Sequence, residues 1–255
     1  PQGVQAKEFI LPKELLEQDC VISLSKMKTH ALERITGAVK NSYGFVYGFH
    51  KAKGHTQYPS ADSFARMLID LNKCVAPKLY VMDGIVAMEG NGPGSGDPVP
   101  MNVLLMSTDP VALDSVFSRL VYLKPEMVPT NYHGEKMGLG TWKEEEITLL
   151  TPDGEISMAE AVKKYGNPAF NVDRTEVRKN IWTRMAGALN IFQKKPYIEA
   201  DKCVRCGICV QSCPVPGKAV DFRKGKGKPP VYDYRKCIRC FCCQEMCPKK
   251  AIKVK

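Results

Sequence analysis

The sequence predicts an α/β fold, a partly parallel sheet with helices on both faces, joined to a small cysteine-rich α+β module. Three observations predict it. Short apolar runs alternate with helical periodicities through residues 20–122. Residues 101–107 form a continuous apolar run of the kind found in strands covered on both sides. The last quarter repeats one cysteine spacing, C-x2-C-x2-C-x3-C-P, in residues 203–214 and 237–248. The expected α/β domain is 1–195 and the module 196–255, with Lys194-Lys195-Pro196 at the junction.

The α/β part is read in order. Residues 20–24 are a short β-type run that ends at the polar cluster 25–30. Thr29 is placed to cap a helix burying Leu32, Ile35 and Val39. A Gly- and aromatic-rich stretch follows at 43–49. Pro59-Ser60 opens the clearest helix, with Phe64, Met67, Leu68 and Leu71 at i, i+3, i+4 and i+7. Residues 78–83 read as a strand, 89–97 as a loop and 101–107 as a strand. Asp109-Pro110 pairs an N-cap with a first-turn proline, opening a helix that buries Leu113, Val116, Phe117 and Leu120. Residues 125–145 are loop-rich, 147–150 suit a short strand, and 157–165 and 174–192 suit helices. About four strands are visible, which is thin for such a sheet. The expectation is that others come from a missing N-terminal segment or a partner chain, since the chain opens at Pro1 like a fragment or a processed product.

The cysteine spacing is the bacterial ferredoxin run for [4Fe–4S] clusters. Three thiolates on a tight loop cap three corners of a cubane, and the fourth, followed by proline, reaches the neighbouring cluster. This assigns Cys203, Cys206, Cys209 and Cys247 to one cluster. Cys237, Cys240, Cys243 and Cys213 go to the other, in a pseudo-symmetric fold of two hairpins and two short helices. A zinc ribbon explains neither the third cysteine nor the Cys-Pro of each half. A disulfide framework suits a short secreted chain, whereas here 11 cysteines sit in 255 residues. Cys242 is out of step with the repeat and is left as a non-ligand, and Cys20 and Cys74 read as small core residues.

Charge is unevenly placed. The net charge is +10, and residues 194–255 hold 16 Lys and Arg against 5 Asp and Glu. Formal negative charge on the clusters offsets part of this excess. The remainder suits raised cluster potentials and an acidic redox partner protein. Nucleic-acid binding is the weaker reading, because the basic run 223–228 lacks interleaved aromatics and reads as a solvated loop. No apolar run approaches the ~20 residues of a membrane span.

Ligands of open α/β sheets bind at the carboxyl ends of strands. Lys26, Lys28 and His30 are the candidates there for anion binding or proton transfer, weighed against exposed cap residues. The glycines at 90, 92, 94 and 96 precede neither a helix nor a Gly-Lys-Ser/Thr ending, so neither the dinucleotide nor the phosphate-loop signature is met. A backbone loop closing over a ligand remains, beside an ordinary surface turn, with Glu89 and Asn91 at hand. His50, His55 and His133 lack metal-like spacing.

The ordered set Lys26-Met27-Lys28-Thr29-His30, Thr36-Gly37-Ala38-Val39-Lys40-Asn41, Met82-Asp83-Gly84, Met88-Glu89-Gly90-Asn91 and Asp109-Pro110-Val111-Ala112-Leu113-Asp114 resembles the domain-of-unknown-function 362 family. That family is often followed by a two-cluster ferredoxin module. The resemblance implies an iron–sulfur protein, an oxidoreductase with no established substrate, and a further N-terminal region before residue 26.

The functional expectation is an electron-transfer protein with two [4Fe–4S] clusters. They relay electrons to or from a site in the α/β domain, in the cytoplasm and in anaerobic metabolism. Lys26, Lys28 and His30 are the catalytic candidates there. Lys40, Asn41, Asp83, Glu89 and Asn91 are the candidates for binding a small-molecule substrate or cofactor. The alternative is a binding, assembly or sensory protein whose clusters support no turnover.

Overall fold

A computed structural model describes residues 3–48, 50–176 and 194–255. The chain divides into two compact units, Pro1–Asp173 and Arg174–Lys255. Each is taken by itself. The expected helix 174–192 lies almost wholly outside the described residues.

In the first unit, a short exposed turn α1 (Lys13–Leu16) precedes β1 (Ile22–His30), β2 (Arg34–Thr36) and α2 (Ala38–Asn41). Helices α3 (His50–Gln57) and α4 (Ala61–Val75) lead to β3 (Leu79–Glu89) and β4 (Asp97–Ser107). Then come α5 (Pro110–Leu120), α6 (Pro129–Lys136), the hairpin β5 (Leu149–Thr151) and β6 (Gly154–Ile156), and α7 (Met158–Tyr165). The main sheet runs β2-β1-β3-β4, with β1 parallel to β3 and the outer pairs antiparallel. It is the expected α/β arrangement with a partly parallel sheet.

Local signals explain the helices. Ser60 accepts the Ser63 N–H and forms a capping box, and α4 buries Phe64, Met67, Leu68 and Leu71 as expected. The Asp109 carboxylate accepts the N–H groups of Val111 and Ala112, with Pro110 in the first turn of α5. Ser157 and Glu160 cap α7 in the same reciprocal way. Asn72, fully buried, ties the layers together. Its Nδ2 donates to the carbonyls of Val39 and Leu68, and its Oδ1 accepts from the hydroxyls of Ser42 and Tyr80.

Three expectations are corrected. The helix expected after Thr29 is a hairpin instead, because His30 Nδ1 accepts the N–H groups of Leu32 and Glu33 and closes a turn at the end of β1. Arg34 then takes a positive φ of 67° and β2 runs back along β1. The lysine motif consequently lies inside a strand, since β1 continues through Lys26 and Lys28 to His30.

The third correction concerns the sheet's second face. Met27, Tyr80, Met82 and Val103 point into the core, where α5 supplies Leu113, Val116, Phe117 and Leu120. The side chains of opposite parity, Ile22, Leu24, Leu104 and Met106, are 53–72% exposed. Among the described residues the sheet is therefore covered on one face, and residues 101–107 alternate where double coverage was expected. Cys20 is exposed and Cys74 half-buried, so neither is a core residue.

The second unit pairs β7 (Pro196–Ile198) with β10 (Ile252–Val254) and β8 (Val220–Asp221) with β9 (Val231–Tyr232). Two four-residue helices, α8 (Ile208–Gln211) and α9 (Cys242–Glu245), complete the expected pseudo-symmetric pattern.

Candidate functional site

The repeat folds as two matching cysteine loops. Arg205 and Arg239 both have φ 57°, and Gly207 and Phe241 follow at 78° and 61°. These left-handed residues curl each loop so that its thiols face one side, then release it into α8 or α9. At the second of the two positions the first loop uses glycine, which carries no steric penalty there, while the second loop uses phenylalanine.

Two cavities result. One is lined by Cys203, Cys206, Cys209 and Cys247, with Ile198 and Pro248 among its walls. The other is lined by Cys213, Cys237, Cys240 and Cys243, with Tyr232 and Pro214 among its walls. Each holds three cysteines from one loop and the fourth from the other half, the crosswise grouping the spacing implies. Cys242 lines neither. The fourth cysteines are held alike: Ala219 N–H donates to Cys213 Sγ and Ala251 N–H to Cys247 Sγ, both at 3.3 Å.

The donor set fits a thiolate-bound cluster. Burial pushes the Cys209 thiol up to about 11, with the neighbouring Cys203 and Cys206 adding to the shift. Burial likewise raises Cys237 and Cys243. A thiol buried in an apolar cavity resists ionisation, and bound iron would reverse that preference by neutralising the thiolate. Among the described residues no three His, Cys, Asp or Glu side chains converge as they would on a single metal ion. In each half four cysteines line one cavity, the number of ligands a four-iron cluster takes.

The second loop adds contacts that the first lacks. The Tyr232 hydroxyl lies 3.1 Å from Cys243 Sγ. Cys240 is lowered and Cys242 raised, each chiefly through the other's sulfur. Arg239 is buried, and its backbone N–H and positive charge both act on Cys237. Tyr232 was not singled out from the sequence. Aligning the two halves of the repeat, which sets Tyr232 opposite Ile198, is the signal that finds it.

The polar residues expected in the α/β unit are dispersed over its sheet. On the exposed face Lys26 Nζ donates to Asp83 Oδ2 at 2.5 Å, across the direct register pair of β1 and β3. Asn41 Nδ2 donates to the Leu24 carbonyl nearby, so these three are close together. Lys28 lies two residues further along the same face. His30 is buried at the strand end, with Nδ1 committed to the turn. Glu89 accepts the Asn171 N–H, and Gly90 N–H donates to the Asn171 carbonyl. Thr29 Oγ1 donates to the Gly90 carbonyl, so the glycine loop that carries Asn91 is fastened to the end of β1. Lys40 sits in the last turn of α2, where its charge acts on Glu33.

Three buried carboxyl groups escaped the sequence reading of function. Asp70 accepts the N–H groups of Val4, Gln5 and Ala6. Asp114 accepts those of Ala38 and Val39. Glu33 is fully buried, neither carboxyl oxygen has a hydrogen-bond partner, and burial holds its pKa well above the carboxylate range. Of the histidines, His55 stacks on Phe64 and His133 bonds to Asp62.

Comparison with known proteins agrees with this division. The chain is 42% identical over 130 residues to the Thylakoid-associated protein sll1697 of Synechocystis sp., an alignment that covers 51% of this chain and 40% of that protein. The chain thus spans well under half of that relative's length. No solved structure matches. Among the described residues no helix is long and apolar enough to cross a membrane. Residues 1–119 match the family described as Domain of unknown function (DUF362), and residues 195–248 match the 4Fe-4S dicluster domain. Residues 1–119 are thus similar to the DUF362 family and residues 195–248 to 4Fe-4S dicluster domains.

Proposed function

We propose that this protein is an electron-transfer component with two [4Fe–4S] clusters, serving an oxidoreductase reaction in its α/β unit. Cys203, Cys206, Cys209 and Cys247 hold one cluster, and Cys213, Cys237, Cys240 and Cys243 hold the other. The observation that carries this reading is the crosswise grouping, four cysteines to each cavity. When bound, such clusters supply one-electron chemistry. The protein's part is to fix the irons with thiolates, to direct N–H groups at the sulfurs and to exclude water with Ile198, Val220 and Ile252. The 16 Lys and Arg of residues 194–255 suit docking of an acidic redox partner protein. A reducing compartment such as the cytoplasm keeps these thiols available for iron.

Anaerobic reconstitution followed by iron and sulfide analysis and EPR tests the proposal. The expected result is about eight irons and eight sulfides per chain, as two four-iron clusters require, with a reducible signal. Recovery of stoichiometric zinc with no reducible signal would sink it.

A second reading is favoured by one observation in the α/β unit. His30 and Glu89, two of the expected chemical groups, are engaged in bonds to backbone N–H groups. On that reading the protein is a binding, assembly or sensory component with no turnover. Substituting Lys28 or His30 in a redox-active sample separates the two, because a binding component keeps partner reduction unchanged.

A further inference from the structure

Residues 197–214 align with 231–248 without a gap, so departures from symmetry there can be read at matched positions. One of them brings a polar group onto a sulfur, since Ile198 of the first half is replaced by Tyr232. Ile198 presents hydrocarbon to the first cavity, whereas Tyr232 presents a hydroxyl 3.1 Å from Cys243 Sγ in the second. A metal-bound thiolate has no proton to give, so in that state the hydroxyl is the donor. The backbone N–H bonds to Cys213 and Cys247 are the same in both halves and cancel in the comparison.

We infer that the two clusters are inequivalent, and that Tyr232 holds the one on Cys213, Cys237, Cys240 and Cys243 at the higher reduction potential. The inference rests on the two-cluster reading above. Reduction adds one negative charge to a cluster. Donors and cations at its sulfurs stabilise the reduced form more than the oxidised form. When a one-electron donor protein is oxidised by one electron, that electron comes to rest on the second cluster, with no proton or bond exchanged. The module thereby has a direction, from the Ile198 side to the Tyr232 side.

The test is an EPR-monitored redox titration of the full chain after anaerobic reconstitution. Wild type is expected to show two separate one-electron steps. Tyr232→Phe keeps the ring and removes the hydroxyl, so it lowers the upper midpoint and leaves the lower one in place. Cys206→Ser removes a ligand of the first cluster and leaves the upper step. Coincident midpoints in wild type overturn the inference, as does a Tyr232→Phe protein with full iron whose upper midpoint is unmoved. An iron and sulfide count of zero overturns the two-cluster reading itself, and this one with it.

Discussion

The Asp114 carboxylate occupies the space a side chain on Gly37 would need. Its Oδ1 lies 1.9 Å from where a Cβ on Gly37 would stand, and the same oxygen accepts the Ala38 N–H at 2.5 Å. The other oxygen accepts the Val39 N–H at 3.1 Å. Here α5 reaches over to satisfy the first backbone donors of α2, and only glycine lets it in. Gly37→Ala must displace a carboxylate pinned by two bonds, an overpacking cost of about 2 kcal/mol. Chemical denaturation is expected to show that loss. An unchanged midpoint would mean that Asp114 moves freely.

Asp114 also makes stability depend on pH. Burial raises its pKa from 3.8 to about 7, against the pull of the two N–H groups. A carboxyl with a raised folded pKa binds more protons folded than unfolded between those values. Its contribution is therefore full below about pH 4 and is lost as pH rises towards about 7. Glu33 is raised in the same direction by burial. Asp114→Asn and Glu33→Gln are each expected to flatten the fall in thermal midpoint across that window. Glu33→Gln is also expected to raise the midpoint at neutral pH, because it removes the penalty of ionising a carboxyl that is fully buried.

The pair Lys26–Asp83 behaves differently because both ends are exposed, at 44% and 42% of the side chain. The Lys26 ammonium, aided by the Ile85 N–H, holds the Asp83 carboxyl below its usual range. Lys26→Met is expected to return Asp83 towards the ordinary carboxylate value in an NMR titration. The thermal midpoint at neutral pH should hardly change, since exposed pairs contribute little. The small contribution of this pair is present above the ordinary Asp pKa and lost as pH falls through the lowered one.

Single cysteine variants divide the module. Cys209→Ser and Cys243→Ser each remove one ligand of one cavity, so iron content is expected to fall by about half in each. Cys242→Ser is expected to retain full iron, because Cys242 lines neither cavity. Loss of iron in Cys242→Ser would give Cys242 a ligand's place.

The parity of β1 and β4 is tested by single lysines. Leu24→Lys and Met106→Lys lie on the open face, at 72% and 62% exposure, and are expected to change stability by less than about 0.5 kcal/mol. Val103→Lys, 7% exposed on the opposite face, places a charge in the core beneath α5 and is expected to unfold the unit.

Much of the fold was legible because its signals are local. Ser60, Asp109-Pro110 and Ser157 satisfy orphan N–H groups within one turn of themselves, so α4, α5 and α7 start where the sequence says. The residues 30–40 misled, since Leu32, Ile35 and Val39 fit a helical stripe as well as they fit a hairpin with a short helix. The deciding interaction, His30 Nδ1 on two backbone N–H groups, is a turn chemistry that periodicity does not register. The polar motif at 26–30 was read as a strand end for the same reason.

The sequence by itself determined the cysteine module: eight cysteines, their spacing and the crosswise grouping. Thiol positions along a tight loop limit which sulfurs can share one centre, and that limit is written in residue number. Tertiary structure alone decided which polar groups meet. Lys26 finds Asp83 through a parallel pairing of β1 with β3, and Asp114 finds Ala38 across 76 positions of chain. It also decided that Ile22, Leu24, Leu104 and Met106 stand on an open face, because a run of apolar residues specifies a strand and leaves its coverage to what packs against it.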